Sequence, residues 1–241
     1  MNLIIDIGNT QYKICVFNNF DIVYHTIVES IDKLNLSDII SEYKIKNVIY
    51  SDTRGVDHLK LLQLLPAGLR VIELNHNTPL PIKIEYATLE TLGKDRIAGA
   101  VEAANQFKNL PCLVIDIGTA LTIDFIDENN TFKGGNISPG PELRYRALHE
   151  FTGKLPRVQS HENVHLLGNS TQTAIQSGVQ NGILSEINGY ILRLKEQYPE
   201  IKIILTGGFA FLFDKKINYP IFADSFLVPK GLNRILKYNE L

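Results

Sequence analysis

Apolar residues along this chain fall in short β-branched runs that end at Asp, Gly or Asn, and one such unit occurs twice. Residues 3–17 read LIIDIGNTQYKICVF, and residues 113–126 read LVIDIGTALTIDFI. Setting Asp6 on Asp116 also sets Leu3 on Leu113, Ile5 on Ile115, Ile7 on Ile117 and Gly8 on Gly118. Each copy predicts a strand, a tight turn and a second strand. After the first copy, Asn18-Asn19 supply a turn into a third strand over 20–28. The pattern then predicts a helix over 36–44 capped by Ser37, a strand over 47–53, a short helix over 58–65 and a strand over 69–75.

Pro79 and Pro81 deny a helical start to the connector 76–92. An Ala-rich helix follows, with Ile97, Ala100, Val101 and Ala104 on one face and Gly93 to Arg96 near its beginning. The second half repeats the opening order, with strands over 112–117 and 120–127 and a third strand beginning TFKGG. Residues 134–141 read as a rigid glycine- and proline-rich passage, and Pro141 suits the first turn of a helix over 142–151. Residues 152–168 are irregular and polar. A helical region opens at Ser170, a strand over 201–205 runs into Thr206-Gly207-Gly208, and 227–239 closes the chain as a helix. The expected architecture is α/β: two similar halves, 1–109 and 110–241, each with a mixed sheet, facing each other across a central cleft.

Gly8 and Gly118 allow backbone geometries that other residues resist, so a ligand can come close. Turn amides then offer themselves to an anion, with the Thr10 and Thr119 hydroxyls beside them. Asp6 and Asp116, where each first strand ends, suit a hydrated cation. A single Asp-x-Gly is also ordinary hairpin punctuation. Two copies, with a third glycine pair after another buried strand, favour phosphate binding.

Other residues keep two readings. Asp95 either favours a helix N-terminus electrostatically, with Arg96 solvated, or takes a proton from an alcohol while Arg96 pairs with a substrate carboxylate. Tyr86 is a packing residue or a pocket wall, and Thr173 is a helix-start residue or a substrate donor. Ala174, Gly178 and Gly182 make a flat helical face fit for the core or for a dimer seam.

A net charge of −2 with no basic run gives nucleic-acid binding no electrostatic support. No apolar run approaches the length of a membrane span. The segment Met1 to Asp6 lacks a basic stretch, so no export signal is expected and the location is expected to be cytoplasmic. Cys15 and Cys112 lie in apolar runs and read as buried free thiols ahead of a disulfide or reactive site. The six His residues show no metal spacing.

The chain resembles the type III pantothenate kinases, also called the Bvg accessory factor family. The resemblance is carried by Asp6-Ile7-Gly8-Asn9-Thr10, Thr91-Leu92-Gly93-Lys94-Asp95-Arg96, Asp116-Ile117-Gly118-Thr119-Ala120 and the run Gly134 to Gly140. It continues through Arg144 to Leu148, Leu155-Pro156, Thr206-Gly207-Gly208 and Lys230 to Asn233, so it spans the chain in order. The GKDR segment and the GGNISPG passage are the specific parts, because sugar kinases, actin and Hsp70 chaperones carry similar Asp-x-Gly loops. Pro141 stands where the family more usually has leucine, and Phe209, on the adenine side, stands where members often carry Asp.

The resemblance implies an actin-like, ribonuclease-H-like double fold. It implies ATP-dependent phosphorylation of pantothenate to 4'-phosphopantothenate, the first step of coenzyme A biosynthesis, by a homodimer needing Mg²⁺ and potassium or ammonium. Carried over by motif, Asp6, Ile7, Gly8, Asn9, Thr10, Gln11, Tyr12 and Lys13 hold the ATP phosphates, with Asp6 reaching Mg²⁺ through water. Asp95 is the base; Tyr86, Gly93, Lys94, Asp95, Arg96 and Thr173 border pantothenate. Asp116 holds the monovalent cation and Thr119 contacts ATP. Two rivals stand beside this reading. Another small-molecule kinase of the actin-like superfamily is disfavoured by a 241-residue length with little room for insertions. A non-catalytic regulatory protein on the same fold is disfavoured by the retained Asp6, Asp95, Asp116 and Thr119.

Overall fold

The first repeat forms β1 (Asn2–Ile7) and β2 (Tyr12–Asn18), antiparallel with Ile7 opposite Tyr12, so residues 8–11 make the turn. They belong to a computed structural model in which residues 1–33, 35–55 and 58–240 are described. Asn19, at φ 55°, turns the chain into β3 (Asp21–Val28). Then follow α1 (Leu36–Glu42), β4 (Asn47–Asp52), α2 (His58–Leu64), β5 (Arg70–Glu73), the two-residue β6 (Lys83–Ile84) and α3 (Lys94–Gln106). Five strands form a sheet in the order β3-β2-β1-β4-β5, with β4 parallel to both β1 and β5. Every residue of β1 is buried, as expected for a central strand covered on both faces. Leu3, Ile5, Ile7, Ile14 and Val48 pack with Leu36, Ile39 and Ile40 of α1 in one core.

The second repeat forms β7 (Cys112–Ile117) and β8 (Ala120–Ile126), again antiparallel. Ile117 pairs with Leu121, so this turn is residues 118–120, one residue shorter than the first. After β9 (Thr131–Pro139) come α4 (Pro141–Glu150), α5 (Thr171–Gln197), β10 (Lys202–Thr206) and the short β11 (Phe222–Ala223). Within this unit the strands run β11-β10-β7-β8-β9. β8 is antiparallel to both neighbours, and β10 is parallel to β7 and β11. The pairing repeats that of β3-β2-β1-β4-β5, so the duplication seen in fifteen residues extends to a whole sheet. Ile183, Ile187 and Ile191 of α5 cover it, packing on Leu113, Ile115 and Leu205.

The chain closes with α6 (Leu227–Tyr238). Two compact units result: Met1–Gln106 with Phe226–Leu241, and Phe107–Ser225. The expected split at 109/110 therefore differs at its far end, because α6 packs on α3 and β1 of the first unit. Gly231 is the reason it fits: a Cβ there would lie 1.8 Å from the Ala98 carbonyl oxygen. Buried Asn233 locks the helix by donating to the Asn19 carbonyl and accepting from Asn2.

Three local expectations are corrected. Ser37 lies inside α1; the cap position is Asn35, which makes no side-chain cap bond and instead donates to Asp38 at 2.7 Å. The passage over 134–139 is part of β9, paired with β8 through Ser138 and Pro139. Gly135 allows that pairing, since a Cβ there would sit 2.2 Å from the Asp124 carboxylate. Ala174, Gly178 and Gly182 are exposed, so their face is not part of this chain's core. Both cysteines are buried thiols outside any disulfide, and burial pushes each up to about 12.

Candidate active site

β1 and β4 are parallel and in register, which sets Asp6 beside Ser51 and Ile7 beside Asp52 at the carboxyl ends of both strands. In open α/β sheets this is where ligands bind. Asp6 is 7% exposed and accepts a 2.8 Å hydrogen bond from the Ser51 hydroxyl. Burial, aided by the Asp95 charge and opposed by Ser51 and Lys13, pushes its carboxyl up to about 6. Lys13 is the residue opposite Asp6 on β2, so its cation faces the same carboxylate. Gly8 closes the turn by donating to the Gln11 carbonyl at 3.0 Å, leaving Asn9, Thr10 and Gln11 exposed. Ile7 and Tyr12 are buried beneath that turn. The Ile7 carbonyl accepts from Thr53, and the Tyr12 hydroxyl accepts from Arg54. The Asp52 carboxylate accepts the Arg54 and Gly55 amides, at 2.9 and 2.8 Å, and so fixes the loop after β4.

The first turn of α3 is tied to the same strand ends. Lys94 donates to the Asp52 carbonyl at 2.9 Å, and the Asp95 carboxylate accepts the Arg96 amide at 2.9 Å. A Cβ on Gly93 would meet Asp95 Oδ1 at 2.6 Å, so a side chain there would push the Asp95 carboxylate aside. The Arg96 guanidinium is buried and lies over the Tyr86 ring, 5.7 Å from its centre. Such stacking holds the planar cation in place. Asp95 remains part-exposed.

In the second unit the register sets Asp116 beside Thr206, so the second Asp-x-Gly turn meets the glycine pair that follows β10. Gly207 has φ 99°, and a Cβ on it would fall 2.5 Å from Asp116 Oδ1 and from Ile117 N. The Phe209 amide donates to the Ile117 carbonyl at 2.9 Å. Gly118 donates to Ala120 at 2.9 Å, and Gly140 donates to the Thr119 carbonyl at 3.0 Å. Two glycine-bearing segments, at Gly207 and Gly140, thus press against one carboxylate-bearing turn that has its own glycine, Gly118.

The structure therefore brings Asp6, Gly8, Lys13, Lys94 and Asp95 to one end of the first sheet, with the Tyr86–Arg96 stack on the same helix start. It brings Asp116 and Thr119 together in the second unit. Thr173 lies in the first turn of α5, where it completes a capping box with Ser170. Its hydroxyl accepts the Asn169 and Ser170 amides, at 3.1 and 3.0 Å. Ser51, Asp52, Gly140 and Gly207 were not among the expected site residues. The polar triplet Ser51-Asp52-Thr53 ending an apolar strand was the available signal for the first two.

A Baf family protein from Campylobacter jejuni of known structure is 24% identical with TM-score 0.62, over 99% of this chain and 98% of that one. A Listeria monocytogenes protein assigned as an N-acetylmannosamine kinase is 13% identical with TM-score 0.53, over 100% and 99%. These likenesses show the fold alone, two ribonuclease-H-like α/β units with mixed sheets. The type III pantothenate kinase of Bacteroides fragilis is 45% identical over 243 residues, covering 100% of this chain and 99% of that one. The type III pantothenate kinase of Cytophaga hutchinsonii is 41% identical over 239 residues, covering 99% and 100%. With the type III pantothenate kinase profile also matching residues 2–193, the chain belongs to that family.

Proposed function

We propose that this chain transfers the γ-phosphoryl group of ATP to the hydroxyl of pantothenate, giving 4'-phosphopantothenate for coenzyme A biosynthesis. The observation that carries the residue roles is the tie between the first turn of α3 and the strand ends of the first sheet. Lys94 donates to the Asp52 carbonyl at 2.9 Å, and Asp52 stands beside Ile7, so Asp95 and the buried Asp6 lie at one end of the same sheet.

Phosphoryl transfer asks for positioning and charge compensation more than covalent chemistry. The Asp6–Lys13 turn holds the β- and γ-phosphates through backbone amides, with Lys13 adding positive charge. Asp95 orients the pantothenate hydroxyl and takes its proton as the new bond forms. Arg96, steadied by Tyr86, pairs with the pantothenate carboxylate; Gly93 keeps that approach free of a side chain, and Lys94 fixes the turn. Thr173, whose hydroxyl accepts two cap amides, turns its remaining proton to pantothenate, and Thr119 meets the nucleotide.

Mg²⁺ fits the first unit: a buried carboxyl pushed up by desolvation and a second acid is relieved by a nearby cation. Among the described residues no three His, Cys, Asp or Glu side chains gather as a metal cage. That suits an ion held by one carboxylate, water and phosphate oxygens. Bound there, Mg²⁺ offsets charge on the phosphates. For potassium or ammonium, Asp116 Oδ1 offers an anionic oxygen between Gly118 and Gly207, unshielded by their side chains. The exposed face of Ala174, Gly178 and Gly182 supports a homodimer seam. Two buried thiols outside any disulfide support a cytoplasmic location. No described helix is long and apolar enough to cross a membrane.

The test is ADP release by the pure protein with ATP, Mg²⁺, potassium and a panel of small alcohols. Release with pantothenate alone is expected. Release with a different acceptor, or with none, overturns the substrate assignment.

A further inference from the structure

The GGNISPG passage has no part in the chemistry above, yet a part-buried network holds its end. Arg144, on the first turns of α4, donates through Nε to the Pro139 carbonyl at 2.7 Å. Its Nη2 donates to the Ser138 hydroxyl at 3.3 Å and pairs with Glu186 of α5. Ser138 in turn donates to the other Glu186 oxygen at 2.6 Å. The Arg144 and Glu186 side chains are only 22% and 24% exposed, whereas those of the neighbouring Arg146–Glu150 pair are 49% and 46% exposed. An exposed pair of that kind contributes little, while a sheltered, multiply bonded one fixes geometry.

What this network fixes is the peptide next to the second Asp-x-Gly turn. The Gly140 amide donates to the Thr119 carbonyl, and Gly140 Cα is so close that a Cβ would fall 2.2 Å from the Gly118 carbonyl oxygen. Residues 139–140 therefore form the wall behind Gly118 and Thr119. We infer that Arg144, Glu186 and Ser138 are a clamp that positions the Asp116–Thr119 turn for nucleotide and monovalent cation. They act as positioning residues, because their contacts are with the wall and not with the reacting groups. The inference rests on the proposed role of that turn. Glu186 lies thirteen residues beyond Thr173, roughly 20 Å along α5. The clamp thus bears on the nucleotide side and leaves the Thr173 cap untouched.

Arg144→Lys keeps the charge but cannot hold Pro139, Ser138 and Glu186 together from one ammonium. Ser138→Ala removes a single hydroxyl and is the gentler variant. Arg146→Lys, in the exposed pair, is the control. In the full-length protein, hydrogen exchange should speed up in peptides spanning 117–121 and 139–141 for the first two variants only. KM for MgATP and the potassium concentration for half-activation should rise roughly tenfold, as expected for a misplaced positioning group. KM for pantothenate should stay put. Unchanged exchange in both variants overturns the clamp. Faster exchange with unchanged MgATP and potassium dependence overturns the role given to the turn. Equal changes in Arg146→Lys reduce the effect to helix α4 in general and also overturn the clamp.

Discussion

Ser51 and Asp6 face each other across β4 and β1, and the serine hydroxyl donates to a carboxylate that the fold has otherwise stripped of water. That one bond does not offset burial, which leaves the Asp6 carboxyl at about 6 instead of its ordinary 3.8. The difference corresponds to roughly 3 kcal/mol of ionisation cost at neutral pH. Between about pH 4 and 6 the folded, ligand-free protein holds a proton that the unfolded chain has lost. Stability therefore falls as pH rises through this window. Asp6→Asn removes the cost and keeps an acceptor for Ser51. In EDTA and without nucleotide, its Tm should exceed wild type by several degrees at pH 7.5 and match it near pH 4. Its turnover should be lost. A variant less stable than wild type at pH 7.5 contradicts the burial argument.

Asp95→Asn separates the chemistry from binding. Without its carboxylate the acceptor hydroxyl keeps its proton, and turnover should drop by at least about a hundredfold, the usual worth of a general base. MgATP should still bind, measured by calorimetry. The same substitution removes a charge that raises Asp6, so the Asp6 carboxyl should titrate lower when followed by NMR. Wild-type turnover in this variant would falsify the base assignment.

Much of this site was legible because it is built on a repeat. Asp6 and Asp116 sit at strand ends, and the strand pattern places both without any knowledge of distant contacts. The GKDR segment falls at a helix start, as its apolar spacing implies. What the sequence could not reveal depends on pairing between remote strands. Ser51 matters only because β4 runs parallel to β1 with that register, and Gly207 only because β10 lies beside β7. The strand over 134–139 was obscured by glycines that read as turn residues, whereas Gly135 is there because Asp124 and the Ile123 carbonyl on the next strand leave no room for a Cβ. The Thr173 hydroxyl shows the reverse limit: its residue type fits both a cap and a ligand donor, and its cap is visible only in three dimensions.

The return of α6 to the first unit rests on a glycine. A Cβ at Gly231 would stand 1.8 Å from the Ala98 carbonyl, which is backbone of α3 and cannot swing aside. Gly231→Ala should separate the two helices and lower stability by about 1–3 kcal/mol, the usual cost of overpacking. Urea unfolding followed by far-UV circular dichroism would show this. Gly189→Ala is the comparison, because nothing lies within 4 Å of its added carbon and alanine favours helix. Equal stability of the two variants would count against close α3–α6 packing.

The second turn can be probed from behind. Gly207 has φ 99° and leaves 2.5 Å between a would-be Cβ and Asp116 Oδ1, so alanine there strains the backbone and pushes the carboxylate. Gly208, its neighbour, has nothing within 4 Å. If Asp116 holds a monovalent cation, Gly207→Ala should demand several times more potassium for half-activation, and Gly208→Ala should not. Replacing potassium and ammonium by sodium should cut the wild-type rate sharply, because the ion that Asp116 holds is then missing or misplaced. Steady-state rates over a potassium titration, at saturating MgATP and pantothenate, measure both effects. Full activity in sodium alone would leave Asp116 without its ion. An equal response of the two glycine variants would mean that the carboxylate is not held by the backbone behind it.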